Sequence, residues 1–259
     1  MKRTLFVTGS DTGVGKTVLS MLLTRYLREC GVNVAALKPI CSGGRGDALA
    51  LRSALNQTLS LDEINPWHFR APIAPALAAR RERRRVLLAD VLVHIRGMQK
   101  RFDVVLLEGA GGLLSPLGAD FNSRDLLVTL RATPIVVCPN RLGAVNQAML
   151  TLEALPKSLR REARIVLVSP QKPDAATATN ARLLLELSDA KRIITLPRSG
   201  EKCSTAETLR TPRVRRSLRA LIGKQTEELW RRRGFQGSLG SPLDFCADTL
   251  VTRKDCRNG

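Results

Sequence analysis

An apolar Leu5-Phe6-Val7 run leads into Gly9-Ser10-Asp11-Thr12-Gly13-Val14-Gly15-Lys16-Thr17, and an amphipathic stretch follows. Strand, glycine-rich turn and helix in that order form a phosphate-cradling loop. Backbone N–H groups of the turn and of the helix terminus converge on phosphate oxygens, Lys16 adds a positive charge, and Thr17 offers a hydroxyl to Mg²⁺. Gly13, Val14, Gly15, Lys16 and Thr17 are therefore the expected nucleotide-binding residues. Five residues separate Gly9 from Gly15, one more than in the commonest form of the pattern. An ordinary turn before a helix would need neither this density of glycine nor the Lys-Thr pair.

Apolar strand candidates fall at 3–8, 32–37, 103–107, 134–138, 163–168 and 192–196, mostly separated by helix-length segments. Positions 18, 19, 22, 23 and 27 line one face of the first helix, and 144–155 and 178–188 are later helical candidates. The alternation predicts a single-domain α/β P-loop NTPase fold: a mostly parallel sheet flanked by helices, with ligand loops outside the carboxyl ends of its strands. The catalytic domain is expected over 1–233, with a C-terminal extension over 234–259 where the composition turns to Gly, Ser and scattered charge. Residues 41–86 form an insertion too short to be a domain. Pro72 and Pro75 interrupt it before an Ala-rich helical turn, a suitable place to shape a second substrate pocket.

The chain of 259 residues carries 42 Lys plus Arg against 23 Asp plus Glu, a formal charge of +19. Such a field attracts anions of any kind. Much of it sits in runs such as Arg80-Arg81-Glu82-Arg83-Arg84-Arg85, Arg213-Val214-Arg215-Arg216 and Arg231-Arg232-Arg233, which read as solvated helix faces. Six Phe, two Trp and one Tyr supply no series of stacking platforms, so no specific nucleic-acid partner is expected. No apolar run approaches bilayer length, and Met1-Lys2-Arg3 passes straight into the first strand, so the expectation is a cytoplasmic protein without a membrane partner. The cysteines at 30, 41, 138, 203, 246 and 256 never form Cys-x-x-Cys, which fits reduced thiols, with a late disulfide or surface reactivity of Cys246 and Cys256 open.

Several polar groups interrupt this apolar frame. Lys38, in Leu37-Lys38-Pro39, brings a second ammonium to the sheet edge that holds Lys16, where the pair would stabilise charge on a transferring phosphoryl or a nascent carboxylate. Snorkelling from an edge is the alternative. Asp47 follows the turn Ser42-Gly43-Gly44-Arg45-Gly46 and is either a helix N-cap or a Mg²⁺ ligand acting with Thr17 and Glu108. Glu108 ends an apolar strand before Gly109-Ala110-Gly111-Gly112, poor core chemistry but good ligand geometry. Gly143-Ala144-Val145-Asn146 opens another helix whose free N–H groups, with Asn146, could hold an aliphatic carboxylate; an ordinary helix start remains the other reading. His68 and His94 read as structural or surface residues.

Together these segments resemble the dethiobiotin synthetase family. The resemblance rests on the extended loop Gly9 to Thr17, on Lys38-Pro39-Ile40-Cys41-Ser42-Gly43 and on Asp47-Ala48-Leu49-Ala50-Leu51. It continues through Glu108-Gly109-Ala110-Gly111-Gly112 with Ser115-Pro116-Leu117, and Arg141 to Thr151, so that it covers about residues 2–200. It implies carboxylation of 7,8-diaminononanoate by CO₂, attack of the carbamate on the γ-phosphate of ATP, and ring closure to dethiobiotin. Lys16 and Lys38 would stabilise the carbamate and phosphoryl oxygens. Thr17, Asp47 and Glu108 would arrange Mg²⁺, and Thr12 and Ser42 would position the acceptor. The family's homodimer would bring Gly143, Ala144, Val145 and Asn146 to the substrate's distant carboxylate across a subunit boundary.

The chain departs from the family near the adenine. Val168-Ser169-Pro170-Gln171 stands where an Asn-containing segment often reads the base, so Gln171 either supplies the carboxamide or points to solvent, while Leu196-Pro197 still resembles the late adenine-side loop and makes Pro197 a nucleotide contact. The competing account is a P-loop ATPase that partitions, delivers or assembles macromolecules. Such loops often carry a further Lys near their start, where Ser10 and Asp11 stand here.

Overall fold

The computed structural model describes residues 3–197, 205–223 and 250–251. Nine strands are present among them: β1 (Arg3–Gly9), β2 (Val34–Leu37), β3 (Ile40–Ser42), β4 (Trp67–Phe69), β5 (Val104–Gly112), β6 (Thr133–Pro139), β7 (Arg164–Ser169), β8 (Arg192–Pro197) and β9 (Leu250–Val251). Seven form one sheet in the order β2-β5-β1-β6-β7-β8-β9. All pairings in it are parallel except β8 with β9. The central strands are apolar on both faces, and Val34–Leu37 is buried along its whole length, because helices cover both sides.

The helices are α1 (Lys16–Glu29), α2 (Gly46–Ala54), α3 (Leu61–Ile64), α4 (Pro75–Arg81), α5 (Leu88–Arg101), α6 (Ser123–Thr129), α7 (Ala144–Glu153), α8 (Lys157–Glu162), α9 (Ala175–Leu187), α10 (Thr205–Arg210) and α11 (Pro212–Ile222). One apolar core joins the sheet to its flanking helices, with Leu19, Leu22, Leu23 and Leu27 of α1 fully buried in it. Beneath the sheet, the buried Arg164 donates to the carbonyl of Leu221 and Arg3 to that of Ile222, so two guanidinium groups close the carboxyl end of α11. Burial and the nearby Arg3 and Arg192 push Arg164 down to about 9.

The expected α/β architecture and its six main strands are present, with bounds shifted by a few residues. Two features differ. The strand expected over 103–107 runs on to Gly112, and its pairing with β1 slips between Val7 and Gly9. The insertion over 41–86 does border a cavity, with Pro72 and Pro75 in its wall, but it is also more ordered than expected: β3 and β4 pair in parallel as a second small sheet, with α2, α3 and α4 around them. Three-residue strands are too short to show a periodicity in sequence. Pro75 stands at the start of α4, where its missing N–H costs no hydrogen bond.

Of the extension expected over 234–259, only Leu250–Val251 is described, and it joins the sheet edge antiparallel to β8. The segments Arg198 to Glu201 and Arg231 to Arg233, and Cys203, Cys246 and Cys256, lie outside the described residues. Cys30, Cys41 and Cys138 are buried free thiols. Among the described residues no helix is long and apolar enough to cross a membrane.

Candidate active site

The carboxyl ends of β1, β5 and β6 meet at Gly9, which pairs with Gly112 on one side and Val137 on the other. A side chain cannot replace Gly9: its Cβ would stand 2.7 Å from the Asp11 carbonyl oxygen and 3.0 Å from the Lys16 ammonium. Gly13 and Gly15 adopt φ of 73° and 102°, a region that glycine enters without strain. Gly15 is also the N-cap of α1, with no side chain capping the helix and no acid in its first turn. The first N–H groups of α1 are thus left for an outside acceptor, with the positive end of the helix behind them.

This loop opens onto a cavity of about 780 Å³ whose walls include Thr12, Gly13, Gly15, Lys16, Thr17, Lys38, Ser42 and Asp47. Lys16 Nζ donates to the Asp11 carbonyl at 2.8 Å. Lys38 Nζ donates to Asp47 Oδ2 at 2.7 Å, to Glu108 Oε1 at 2.8 Å and to the Gly109 carbonyl at 3.2 Å. Thr17 Oγ1 donates to the same Glu108 oxygen at 2.8 Å, while Glu108 Oε2 is buried with no hydrogen-bond partner. Four of the expected residues therefore form one connected cluster, drawn from α1, the end of β2, α2 and β5.

The electrostatics of the two lysines differ. Burial and the neighbouring Lys38 ammonium push Lys16 below the ordinary lysine value, with Glu108 and Asp47 opposing. Burial alone would lower Lys38 as well, but the Glu108 and Asp47 carboxylates outweigh it and hold its ammonium above the ordinary value. For Asp47, burial works to raise the carboxyl; Lys38, the Thr17 hydroxyl and Lys16 overcome it and leave Asp47 below the usual carboxylate range.

Asp47 is the second residue of α2, whose N-cap is Arg45 without a side-chain cap, so the N-cap reading of Asp47 does not hold. Its carboxylate turns to Lys38 instead. Ser42 lines the cavity but also donates to the Ile73 carbonyl at 2.6 Å, tying β3 to the segment before α4. Val14 turns into the core, at 8% exposure. Gly43 has φ of 78°, and a Cβ there would lie 2.8 Å from that of Pro72.

Other expected residues stand apart from this cavity. Gln171 is exposed beyond β7, and Pro197 ends β8 opposite Ser169. Gly143, with φ of 88°, is the uncapped N-cap of α7, followed by Ala144, Val145 and the exposed Asn146. A second cavity of about 460 Å³ shares Thr12 and Ser115 with the first and is walled by Gln147, Leu150 and Thr151 from the next turns of α7. His68 in β4 and His94 in α5 line neither.

Sequence reasoning passed over Asn65, which is fully buried and holds the Lys38 carbonyl, and Arg45, which reaches Asp62 and Asn65. The Asn-Pro pair at the end of α3 was the available signal, since a buried Asn must spend its amide on specific partners.

Comparison with known proteins agrees with this geometry. A sequence profile described as an AAA domain matches residues 3–202. An ATP-dependent dethiobiotin synthetase of Akkermansia muciniphila is 38% identical over 189 residues, covering 73% of this chain and 89% of that protein. One of Anaeromyxobacter dehalogenans is 41% identical over 201 residues, covering 75% and 90%. A ParA family ATPase from Chlorobium tepidum shares the fold, with a TM-score of 0.51 and 14% identity over 89% of this chain and 96% of that one. With a phosphate loop, a second cavity lysine and relatives that align over most of their length, the chain belongs to the dethiobiotin synthetase family.

Proposed function

We propose that this protein makes dethiobiotin from 7,8-diaminononanoate, CO₂ and ATP, releasing ADP and phosphate. Family membership supports an ATP-using synthetase of biotin biosynthesis. The observation that carries the finer reading is that two buried ammonium groups, Lys16 and Lys38, line one cavity beside an uncapped helix terminus. Carboxylation of an amine creates an anion that must approach the terminal phosphate, itself anionic. Lys16 and the α1 N–H groups offset the phosphate charge, and Lys38, lining the same cavity, offsets the carbamate charge. Thr12 and Ser42 line the same cavity and would orient the diamine. The carbamate oxygen attacks the γ-phosphorus, ADP leaves, and the second amine closes on the carbonyl carbon as phosphate departs. Holding that amine beside the carbonyl makes closure effectively intramolecular.

Thr17, Asp47 and Glu108 fit a hard divalent cation: all their donor atoms are oxygens, and Glu108 Oε2 is buried without a partner. Mg²⁺ held there would neutralise phosphate charge. Among the described residues no three His, Cys, Asp or Glu side chains converge on a point, so phosphates and water would complete its shell. In this reading Lys38 exchanges carboxylate partners for the carbamate when nucleotide and cation arrive.

The second cavity would take the chain of the diamine. Its carboxylate would reach the uncapped N-terminus of α7, at Gly143, Ala144, Val145 and Asn146, across the boundary of a homodimer. Leu114, Leu142 and Leu150 stand 60%, 83% and 64% exposed around this region, an apolar surface suited to burial by a second copy. Gln171 and Pro197 would border the base.

Mass spectrometry of the product made from 7,8-diaminononanoate, bicarbonate and Mg²⁺ with ATP, GTP or CTP tests the reading. ATP-dependent dethiobiotin is expected. Folded, nucleotide-binding protein that forms none with any nucleotide would reject it. Turnover per chain should also fall on dilution as the homodimer separates, and a fully active monomer would refute the shared pocket.

A further inference from the structure

Lys38 and Asp47 both belong to the connection that leaves the main sheet after β2. Both lead back to Asn65. Its amide Nδ2 donates to the Lys38 carbonyl at 2.7 Å, and its Oδ1 accepts from Arg45 Nε and from the Cys41 thiol, each at 3.1 Å. The orientation of the amide follows from these partners, since the flipped group would set Nδ2 against two donors and Oδ1 against a carbonyl.

The surrounding backbone serves the same end. Lys38 N donates to the Ile64 carbonyl at 3.0 Å, and Trp67 N to that of Pro39 at 3.1 Å, so residues 64–67 brace Lys38-Pro39 on both sides of its peptide bond. Arg45, the N-cap of α2, is anchored through Nη2 to the carbonyls of Leu61 and Asn65 at 2.8 and 2.9 Å. Asp47 is two residues further on. One buried amide thus joins the backbone that carries the Lys38 ammonium to the helix start that carries the Asp47 carboxylate, and those two groups meet at 2.7 Å.

We infer that Asn65 is a positioning residue for the reaction, setting the place of the Lys38 ammonium and keeping Asp47 in register with it. It does not itself line the cavity, so its effect passes through Lys38 and Asp47. The inference rests on the proposed function only where turnover is the readout.

Two variants test it. Asn65→Asp keeps an acceptor for Arg45 but sets a carboxylate against the Lys38 carbonyl, and Asn65→Ser shortens the side chain without burying a charge. Each should lower kcat for dethiobiotin by about 10- to 100-fold, the scale of a displaced catalytic group, and leave KM for ATP within about threefold. Added to Lys38→Ala, Asn65→Ser should cost clearly less than it does in wild type, because one of the two groups it positions is already gone. A loss that adds fully in the Lys38→Ala background would overturn the inference and leave Asn65 a general structural residue.

A second readout is independent of turnover. In protein labelled with ¹⁵N-lysine, the ammonium resonance absent from Lys38→Ala should shift or broaden in Asn65→Ser. An unchanged resonance would also overturn the inference. Wild-type protein that makes no dethiobiotin would defeat the proposed function alone, and the resonance would still decide the part played by Asn65. Should Asn65→Asp fail to fold, Asn65→Ser carries both tests.

Discussion

Lys16 and Lys38 face the same cavity but are held in different ways. Lys16 leans on a carbonyl of its own loop, five residues back in the chain, in a turn whose shape three glycines permit. Lys38 reaches Asp47, nine residues on, and Glu108, seventy residues on, and its backbone is braced by the end of α3. The first arrangement is local and survives as a motif. The second is assembled from four separate segments, so its geometry depends on the packing of the whole insertion. On the proposed reaction that difference would divide the work as well: the loop would hold the phosphate, and the Lys38 corner would determine what else can meet it.

The largest effect expected is functional and should separate the two lysines. Lys38→Ala should lower dethiobiotin formation by about 10²- to 10³-fold while sparing most nucleotide affinity, whereas Lys16→Ala should lose nucleotide affinity as well. Steady-state kinetics beside equilibrium nucleotide binding checks this, and matching losses of affinity in both variants would erase the distinction. The next effect is on stability. Lys38→Met leaves the Glu108 carboxylate buried without its ammonium and should cost about 3 kcal/mol in urea denaturation of the nucleotide-free protein. Adding Glu108→Gln to Lys38→Met should recover part of that cost, since a neutral amide tolerates burial better than an unpaired charge. No recovery would mean that the pair is not the source of the loss.

A smaller change should disturb the corner and leave the loop alone. Gly43→Ala forces a Cβ onto Pro72 in a left-handed backbone, at a cost of about 1–3 kcal/mol, and should reduce turnover more than nucleotide affinity. Equal effects on both would show that loop and corner are not independent.

The smallest effect is a pH dependence of opposite sign at the two lysines. Lys16 has a folded value below the ordinary 10.5, so its charged form costs native-state stability, and that cost is relieved as pH rises from the folded value toward 10.5. Lys38 lies above 10.5, so its contribution is fully present below that pH and is lost only as pH rises through its folded value. The difference in denaturation midpoint between wild type and Lys16→Met should move in favour of wild type as pH rises toward 10.5, and a difference that stays constant would contradict the shift at Lys16.

How much of this was legible in the sequence follows the same division. The phosphate loop could be read residue by residue because its function lies in backbone shape, and Gly9, Gly13 and Gly15 are needed by that shape. The apolar strands were legible because a strand covered on both faces must be apolar throughout. Lys38, Asp47 and Glu108 stood out as polar interruptions whose chemistry paired Lys38 with Lys16 and set Asp47 and Glu108 with Thr17, and the family resemblance repeated that grouping; the N-cap reading of Asp47 stayed open until its carboxylate was seen to turn toward Lys38. The short strands β3 and β4 carry no period, and Asn65 looks like a loop residue until the carbonyl it caps is known. Such contacts arise only when distant segments pack, and nothing in a local pattern records them.

Transfer of a carbamate oxygen onto the terminal phosphate is the defining step of the proposed reaction. It is tested most directly by supplying freshly prepared ¹⁸O-bicarbonate with 7,8-diaminononanoate, Mg²⁺ and ATP, and weighing the phosphate released. One ¹⁸O is expected in each phosphate formed together with dethiobiotin, carried over when the second amine displaces it from the carbonyl. Dethiobiotin accompanied by phosphate without the label would contradict it, since the oxygen would then have come from water and not from the carbamate.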